Sequence, residues 1–502
     1  MTVTLGEGPI GVEQVVAAAF GEPVSVSGEA LARCRAVWKA LMDIADRGNP
    51  KVYGLNTGVG INKDQTVTRE SYGVYNLNML KVHCVGLSPY ASAEEARGTM
   101  FLKLHHLAMG YTGITPGYVE LLREMLNRGI YPAIPLRGSV GEADITSLSH
   151  LGLVMAGEGF VMDTQGLRPA GEALREAGLQ PIKPGPKDGL GLVTSNALGE
   201  ALGCLALHRA KSLMDLADLS YAMTLEGFHG NLSPLDERAL ALHPSKGVKV
   251  TASNARRFLT GSYLEGGAKS LQDPLSIRCS PMVHGAVRDA LNAAEEALTG
   301  YINTPDDNPL AFEDGTVIPC ALFEPLGWVL EFEKLKAALC HLSQTVARRT
   351  LRLGSDRFTG LPRFLNPCTS MCHAFGVIQK TVSYLQAENR HLSNPCSFDV
   401  ESLSEDQEDR GCNTPMVMDH LKRMLDNLEV MLAIEILHGA QAMDMRGASY
   451  GRGTSRALGK LRERVPFMDE DRDLSLDVAR AVEAVRSGEL IEAARSPWGC
   501  GG

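Results

Sequence analysis

Residues 417–437 read VMDHLKRMLDNLEVMLAIEIL, and this stretch decides the fold class. Its apolar residues recur at steps of three and four, whereas polar residues such as Asp419 and Lys422 fill the other face. That spacing predicts a long amphipathic helix. Strand-like alternation is short and local, near 159–162 and 315–318. Further helical patterns cover residues 96–127, 196–225, 331–353, 374–392 and 475–493. The sequence therefore predicts a mainly α protein built on a bundle of long helices.

Length and charge limit the class of protein. The chain has 502 residues, and its 49 Lys+Arg against 59 Asp+Glu give a formal net charge of −10. This charge excludes a generically basic nucleic-acid binder. A chain of this length is expected to form more than one lobe, and Pro and Gly cluster at residues 178–189. We expect a smaller N-terminal lobe over residues 1–195, followed by the helix bundle and a C-terminal helical region over residues 196–502.

The cysteines and the apolar runs indicate the compartment. The 11 cysteines are scattered and odd in number, and no basic segment at the N-terminus leads into an apolar core. We therefore expect a cytoplasmic protein. The richest apolar run, 430–437, is interrupted by Glu435 and is much shorter than the roughly 18 residues of a membrane span. Cys368, Cys372 and His373 have ligand-type side chains, but no second pair follows at a zinc-site spacing, so no metal site is expected.

Polar, glycine-flanked segments separate the helices and occur in a characteristic order. They read Tyr53-Gly-Leu-Asn-Thr-Gly-Val-Gly60, Gly138-Ser-Val-Gly141, Gln272-Asp-Pro-Leu-Ser-Ile-Arg-Cys279, Asp306-Asp-Asn-Pro309 and Gln407-Glu-Asp409. Together they resemble the histidine and aromatic amino-acid ammonia-lyase family, and the resemblance covers nearly the whole chain. It implies a mainly α fold with a long-helix bundle like that of the fumarase and aspartase proteins. It also implies a homotetramer whose active sites take loops from several subunits.

The resemblance implies a base and a carboxylate clamp. The family eliminates ammonia from an amino acid, and Tyr53 matches the tyrosine that removes the β-proton. Because a phenol titrates near ~10, nearby positive charge or hydrogen bonds must lower its pKa for work at neutral pH. Arg278 matches the arginine that grips the substrate carboxylate, a task that suits a planar bidentate donor. Gln272 opens the same segment and is assigned to the substrate site. The alternatives are a turn tyrosine and a structural ion pair.

Other positions match family residues that surround the substrate. His83 and Glu408 match the two positions that contact the substrate imidazole in histidine ammonia-lyases, which favours a polar or cationic substrate side chain. Asn196 resembles the asparagine that contacts substrate and prosthetic group, with a helix N-cap as the alternative. Phe323 matches an aromatic that packs beside the site, although its surroundings have become Ala321-Leu-Phe-Glu-Pro325.

One segment departs from the family in a way that bears on mechanism. The family forms its electrophile, methylideneimidazolone, from an Ala-Ser-Gly triplet within Gly-Ser-Val-Gly-Ala-Ser-Gly-Asp. In this chain Gly138-Ser-Val-Gly141 is followed by Glu142-Ala143-Asp144. The serine to be dehydrated and the unhindered glycine nitrogen are both missing, so we expect no prosthetic group. Glu142 and Asp144 cannot withdraw electrons from an amine, but they can hold a cation or act as a general acid.

Three readings of the function remain open. The first is a lyase that eliminates an amine from an amino acid or a polar or cationic derivative without methylideneimidazolone, using Tyr53 together with Glu142 or Asp144. The second is an inactive homologue that binds a ligand or serves in an assembly, in which Glu142 and Asp144 form only a turn and a helix N-cap. The third is a conventional histidine-type ammonia-lyase or an aminomutase, which would require the prosthetic group.

Overall fold

The computed structural model describes residues 2–367 and 372–496 of the chain. Contacts between α-carbons divide the chain into two compact units. Unit 1 comprises Met1–His208, Ala294–Glu331 and Pro395–Asp419, and unit 2 comprises Arg209–Ala293, Phe332–Asn394 and His420–Gly502. The mainly α prediction is confirmed, because long helices make up most of both units. The predicted lobes of residues 1–195 and 196–502 stay a prediction.

Each unit has its own helices, and four long helices have residues in both. Unit 1 contains β1 Val3–Leu5, α1 Val12–Ala19, β2 Val24–Val26, α2 Gly28–Arg47, α3 Tyr72–His83, β3 Leu87–Tyr90, α4 Ala93–Ala108, α5 Gly117–Asn127, β4 Tyr131–Pro132, β5 Pro135–Arg137, α6 Ile145–Met155, β6 Phe160–Asp163, β7 Gly166–Pro169, α7 Ala170–Glu176, α8 Asp188–Val193, β8 Leu310–Ala311 and β9 Val317–Ile318. Unit 2 contains α10 Glu237–Ala241, α11 Lys246–Phe258, α12 Leu275–Arg278, α15 Asp356–Thr359, α16 Gln379–Leu392, α18 Arg452–Arg462, α19 Leu474–Arg486 and α20 Glu489–Arg495. The helices with residues in both units are α9 Ala197–Phe228, α13 Ser280–Ile302, α14 Leu326–Leu353 and α17 Thr414–Arg446.

Helix α17 contains the stretch that decided the fold class. It extends beyond the predicted 417–437 at both ends, over 33 residues. Most of its apolar side chains are fully buried, including Leu421, Met424, Leu428 and Leu432. Burial of one such side chain is worth roughly 1.5–3 kcal/mol, so this stripe supplies a large share of the local stability.

Two predicted helices are interrupted by glycines. The pattern over 96–127 is divided between α4 and α5, because Gly110 and Gly113 adopt positive φ angles of 84° and 70° between them. The pattern over 475–493 is divided between α19 and α20 at Gly488, whose φ is 76°. Left-handed backbone ends a helix, and glycine adopts it without a steric penalty. Apolar periodicity alone does not reveal these breaks.

The strands form small local sheets in unit 1. Strand β1 pairs with β2 in parallel, β3 pairs with β5, β8 pairs with β9, and β4, β6 and β7 form a three-stranded antiparallel sheet. The predicted strand-like segments at 159–162 and 315–318 correspond to β6 and β9. Among the helices of this unit, α3 packs against α6 and α8.

In the described part of the chain, one apolar stretch is long enough to span a membrane, in contrast to the expectation from the sequence. It covers Asp188–Phe228, with a mean hydropathy of 1.4 in its most apolar window. Within the structure, 89% of that window is buried against other residues. A buried core helix meets the same criteria of length and composition.

Candidate functional site

The loop that carries Tyr53 is held by its own hydrogen bonds. Asn56 accepts from the N–H of Val52 at 2.7 Å and donates to the carbonyl of Pro50 at 2.9 Å. The half-buried Tyr53 hydroxyl accepts from the N–H of Gly60 at 2.8 Å. A Cβ placed on Gly60 would lie 3.6 Å from Glu408 Oε1, so Glu408 lies directly beside this loop. The structure thus brings together two residues assigned to the site that are far apart in sequence.

The electrostatic setting of Tyr53 differs from the expectation. Burial raises the pKa of the phenol, the Gly60 hydrogen bond opposes this shift, and the nearby Glu408 carboxylate raises the pKa further. The net direction is upward, whereas the sequence predicted that nearby positive charge would lower it. Burial and an anion both disfavour the phenolate. Within the described part of this chain, no cation is among the groups that shift the pKa of Tyr53.

Asp144 is fixed by the backbone around it. The residue is 1% exposed, and its carboxylate accepts from the N–H of Gly199 at 2.9 Å and from the Ser139 hydroxyl at 3.0 Å. Gly199 belongs to the first turn of α9, so the carboxylate satisfies one of the unpaired N–H groups there. Burial nevertheless raises the pKa of Asp144 to about 6. Asp144 also precedes α6 directly, but its side chain makes no capping bond to that helix.

Glu142 lies in a cluster that the sequence did not predict. The thiol Sγ of the buried Cys412 is 3.4 Å from Glu142 Oε1 and 3.1 Å from Glu324 Oε1. Arg410 donates through Nε to Glu324 Oε2 at 2.6 Å. Burial and the neighbouring Glu324 carboxylate raise the pKa of Glu142 to about 7, whereas Arg410 helps to hold the pKa of Glu324 below its usual range. The two glutamates together therefore hold one proton near neutral pH, with Glu142 as its carrier.

Two signals in the sequence could have pointed to this cluster. Glu324 follows Phe323 within the segment whose family context has changed, and Cys412 lies three residues after Asp409 of the Gln407-Glu-Asp409 motif. Neither position stood out, because the partner of each is remote in sequence. In the structure, the N–H groups of Cys412 and Asn413 both donate to the carbonyl of Val140, which places the two loops side by side.

Asn196 and Phe323 contact each other through a hydrogen bond. Asn196 donates through Nδ2 to the carbonyl of Phe323 at 2.6 Å, and its own N–H donates to Asp306 at 2.8 Å. The carbonyl of Asn196 accepts from the N–H of Glu200 and so starts α9. The residue therefore occupies the N-cap position proposed as an alternative, but its side chain binds Phe323 rather than the helix end.

His83 and Glu408 are both accessible in unit 1. His83 lies at the end of α3, and its Nδ1 donates to the carbonyl of Met79 at 2.7 Å. This bond leaves Nε2 as a hydrogen-bond acceptor. Glu408 is exposed and pairs through its backbone with Leu403. The residues between them, Ser404–Asp406, have positive φ angles of 54°, 52° and 64°, a strained turn of the kind that often occurs at functional sites.

Arg278 and Gln272 lie in unit 2 and contact each other. Arg278 donates through Nη1 to Gln272 Oε1 at 2.7 Å. Its buried Nε has no hydrogen-bond partner among the residues that the structure describes. A half-buried guanidinium with a free donor is suited to bind a carboxylate.

Among the residues that the structure describes, two groups of side chains could geometrically hold a metal ion. They are His106, Glu200 and Asp306, and Glu142, Glu324 and Cys412, each with potential ligand atoms within 4.8 Å of one another. Burial and Glu324 raise the pKa of Glu142 to about 7, and burial raises the pKa of Glu200 to about 8. The expectation of no metal stays a prediction. Cys368 lies outside the described residues.

The site described so far is a set of loops on a mainly helical scaffold, with a half-buried phenol and a carboxyl pair. Comparisons identify the family. Residues 10–463 match the family model described as aromatic amino acid lyase. The histidine ammonia-lyase of Gloeobacter violaceus is 36% identical over 501 residues, covering 98% of this chain and 97% of the relative. The chain therefore belongs to the aromatic amino acid lyase family, a family of carbon–nitrogen lyases.

Solved structures of the same family superpose closely. The ergothioneine-degrading enzyme ergothionase of Treponema denticola, solved with desmethyl-ergothioneine sulfonic acid, gives a TM-score of 0.94 at 39% identity. The match covers 98% of this chain and 100% of that chain. Histidine ammonia-lyase of Trypanosoma cruzi gives a TM-score of 0.90 at 29% identity, with 99% and 95% coverage.

The residues present do not fit the family's prosthetic group. Methylideneimidazolone forms from the protein's own chain. In this chain the N–H of Asp144 donates to the carbonyl of Ser195 at 2.7 Å, so the backbone nitrogen that follows Ala143 is already hydrogen-bonded. Ala143 is buried with a φ of 54°, and it is flanked by two acidic residues. No hydroxyl at residues 142–144 could be lost as water.

Proposed function

We propose that this protein is a lyase that removes an amine from an amino-acid derivative by β-elimination without methylideneimidazolone. The observation that carries the proposal is the Glu142–Glu324 pair, which holds a proton near neutral pH in the segment where the family forms its electrophile. A carboxyl pair cannot activate an amine by withdrawing electrons. It can bind a cation, and it can protonate the amine once the carbon–nitrogen bond has broken, which prevents the amine from adding back.

Tyr53 acts as the base in this mechanism. The Gly60 N–H already stabilises the phenolate, but burial and Glu408 keep the pKa of Tyr53 high in the free protein. A cationic substrate supplies the positive charge that lowers it on binding. The base is then activated only when a substrate of the correct charge is present.

The proposed elimination balances atoms and electrons. The Tyr53 phenolate takes the β-proton, the C–H electron pair becomes the C=C bond, and the carbon–nitrogen bond breaks with its electrons on nitrogen. The neutral amine then takes the proton of Glu142, and Arg410 helps Glu324 to stay ionised beside it. Water takes the Tyr53 proton as the substrate binds, the β-proton restores the phenol, and water returns a proton to Glu142 after the amine has left.

The proposed substrate is an imidazole-bearing amino acid whose amine is alkylated or permanently charged. Such an ammonium leaves as a neutral amine without an electrophile. The similarity to ergothionase, an ergothioneine-degrading enzyme, supports a substrate of this kind, as does the similarity to histidine ammonia-lyases. His83 and Glu408 are assigned to the imidazole ring, with the acceptor Nε2 of His83 receiving a ring N–H.

The remaining assignments complete the site. Arg278 binds the substrate carboxylate, with Gln272 fixing the guanidinium. Asn196 orients the substrate, Phe323 packs beside it, and Asp144 acts as a positioning residue through α9. We also propose a homotetramer with shared active sites, in the cytoplasm, acting on a small molecule rather than on nucleic acid or membrane.

Two other functions remain to be tested. In an inactive homologue that binds a ligand, Tyr53 would be a structural turn residue, which its bond to Gly60 permits. A conventional ammonia-lyase or aminomutase would require an internal cyclisation, which an intact mass showing the loss of two waters would reveal. The proposed lyase keeps the mass calculated from the sequence.

The experiment is a turnover assay over a panel of histidine, N-methylated histidines, histidine betaines and their thiolated forms. Amine release and product mass are measured for the purified protein and for Tyr53→Phe. We expect release of an alkylated amine and an unsaturated imidazole acid, abolished in the variant. Equal turnover by Tyr53→Phe and the wild type would overturn the proposal. So would turnover of primary amines alone by a protein whose intact mass is lower than the calculated mass by two waters.

A further inference from the structure

A cavity of about 620 Å³ opens in unit 1, and none of the residues that line it is assigned to the lyase site. The lining residues are Gly6, Glu7, Gly8, Pro9, Arg33, His105, Met109, Tyr111, Asn303, Pro305, Leu310 and Phe312. Its volume is within the range of small-molecule sites. The proposed elimination does not involve this cavity.

The cavity wall contains a buried histidine whose hydrogen-bonding capacity is not used up within the described residues. His105 is 3% exposed and neither ring nitrogen makes a hydrogen bond of good geometry there, although the side chain of Asn303 comes close enough to act on its pKa. The neighbouring Asn303 has donated both amide hydrogens, to the carbonyls of Ile10 and Thr299 at 2.8 Å each. Burial lowers the pKa of His105 to about 3, so the ring is neutral and offers one donor and one acceptor. Buried polar groups are normally paired, and the ring nitrogen that does not face Asn303 has no partner within the described residues.

Arg33 supplies a cation to the cavity lining. Its side chain is half-buried and donates through Nη2 to the carbonyl of Ala108 at 3.3 Å. Within the described part of the chain, no ion pair involves Arg33, which leaves its other donors for a ligand. A guanidinium matches a carboxylate in planar geometry. Glu7 is the one acidic residue of the lining, so a ligand with a second negative charge would be repelled.

The rest of the wall is suited to a flat ring. The rings of Tyr111 and Phe312 meet edge to face, with centroids 5.5 Å apart and an interplanar angle of 69°. Met109 and Leu310 add a flexible thioether and an aliphatic surface. Such a wall binds aromatic rings through dispersion and sulfur contacts.

We propose that this cavity is a second binding site, which takes a small aromatic monocarboxylate. Arg33 holds the carboxylate, the ring lies against Tyr111 and Phe312, and a polar ring atom pairs with His105. The ligand class follows from the cavity and does not depend on the proposed reaction.

The test uses the full-length protein with ¹³C-methyl methionine, because Met109 reports directly on the cavity. Met109→Leu identifies the Met109 methyl resonance. The probe is trans-3-(imidazol-4-yl)acrylate, and its neutral amide serves as the matched ligand control. We expect the acid to shift this resonance saturably and the amide to leave it unchanged. Absence of a shift at millimolar acid, or an equal shift with the amide, would overturn the proposal.

Variants on one helix refine the test. Both Arg33 and Arg35 belong to α2, but Arg35 pairs with Glu120 and does not line the cavity. We expect Arg33→Gln to weaken binding about tenfold or more, while Arg35→Gln binds like the wild type. Equal affinity of the two variants would refute the role of Arg33. Because the readout requires no turnover, a failure of the proposed lyase activity leaves it unaffected.

Discussion

The phenolic oxygen of Tyr53 accepts a hydrogen bond from the backbone N–H of Gly60, and the same glycine lies against the carboxylate of Glu408. The proposed base and one of the groups assigned to the substrate ring therefore belong to a single loop contact. The hydrogen bond favours the phenolate, while the carboxylate and burial oppose it. The balance makes the protonation state of Tyr53 sensitive to the charge of a bound molecule.

Replacing Tyr53 tests the base directly. Tyr53→Phe should lower kcat/KM by about 10²–10⁴-fold, because general-base catalysis is lost. The melting temperature should change little, since a single hydrogen bond is worth about 0.5–1.5 kcal/mol. Tyr384→Phe, at a side chain that is exposed, serves as the control. Retention of activity in Tyr53→Phe would contradict the assignment.

The Glu142–Glu324 pair predicts a specific pH dependence. With the pKa of Glu142 at about 7, its protonated form is lost as the pH rises through that value, so the acid-dependent step should slow above about pH 7. Glu142→Gln should remove this falling limb from the kcat/KM profile and lower the rate by about 10²-fold or more. Glu313→Gln, at an exposed glutamate of the same unit, should keep the wild-type profile. If kcat/KM of Glu142→Gln still fell above about pH 7 as in the wild type, the group that titrates would be a residue other than Glu142.

Arg278 predicts a change in substrate binding. Arg278→Lys should raise KM about 10–100-fold, because an ammonium cannot reproduce the planar donors of the guanidinium. The substitution also removes the hydrogen bond by which Gln272 fixes the guanidinium. Folding should be unaffected, since the side chain is only half-buried. Steady-state kinetics and thermal unfolding check both statements. A loss of stability without a change in KM would indicate a structural role.

Glu200 predicts how stability varies with pH. Burial raises the pKa of Glu200 to about 8, so the folded state binds a proton that the unfolded state releases above roughly 4.3. The free energy of unfolding should then fall as the pH rises from about 5 to about 8, by up to roughly 1 kcal/mol per pH unit. Glu200→Gln should flatten this slope in urea unfolding, whereas Glu313→Gln should not. If the free energy of unfolding varied with pH in the same way for the wild type and for Glu200→Gln, the raised pKa of Glu200 would be disproved.

The sequence predicted the mainly α class because its apolar residues are spaced regularly over long distances, as in α17. It failed at Gly110, Gly113 and Gly488, where backbone conformation ends helices whose apolar pattern continues. It also could not associate Glu142 with Glu324 and Cys412. Their proximity depends on loops that meet only in the folded unit, so no local pattern carries it.

The upward shift of the Tyr53 pKa was missed for a related reason. Motif matching assigns a residue type and a role, whereas the pKa depends on the burial of the ring and on Glu408, 355 residues further along the chain. The unused hydrogen-bonding capacity of the His105 ring could not be predicted from the sequence either, because it depends on how the residues around the ring pack.

The bonds of Asp144 have a consequence for protein engineering. Installing the electrophile by design would require more than writing Ala-Ser-Gly into residues 142–144. A glycine at position 144 would remove the carboxylate that holds Gly199 and Ser139, leaving the first turn of α9 without a partner for a buried N–H. Since α9 also begins at Asn196, the same change would disturb the hydrogen bond that joins Asn196 to Phe323. The smallest sensible segment to transplant would be the whole 138–144 loop, together with compensating changes at residue 199.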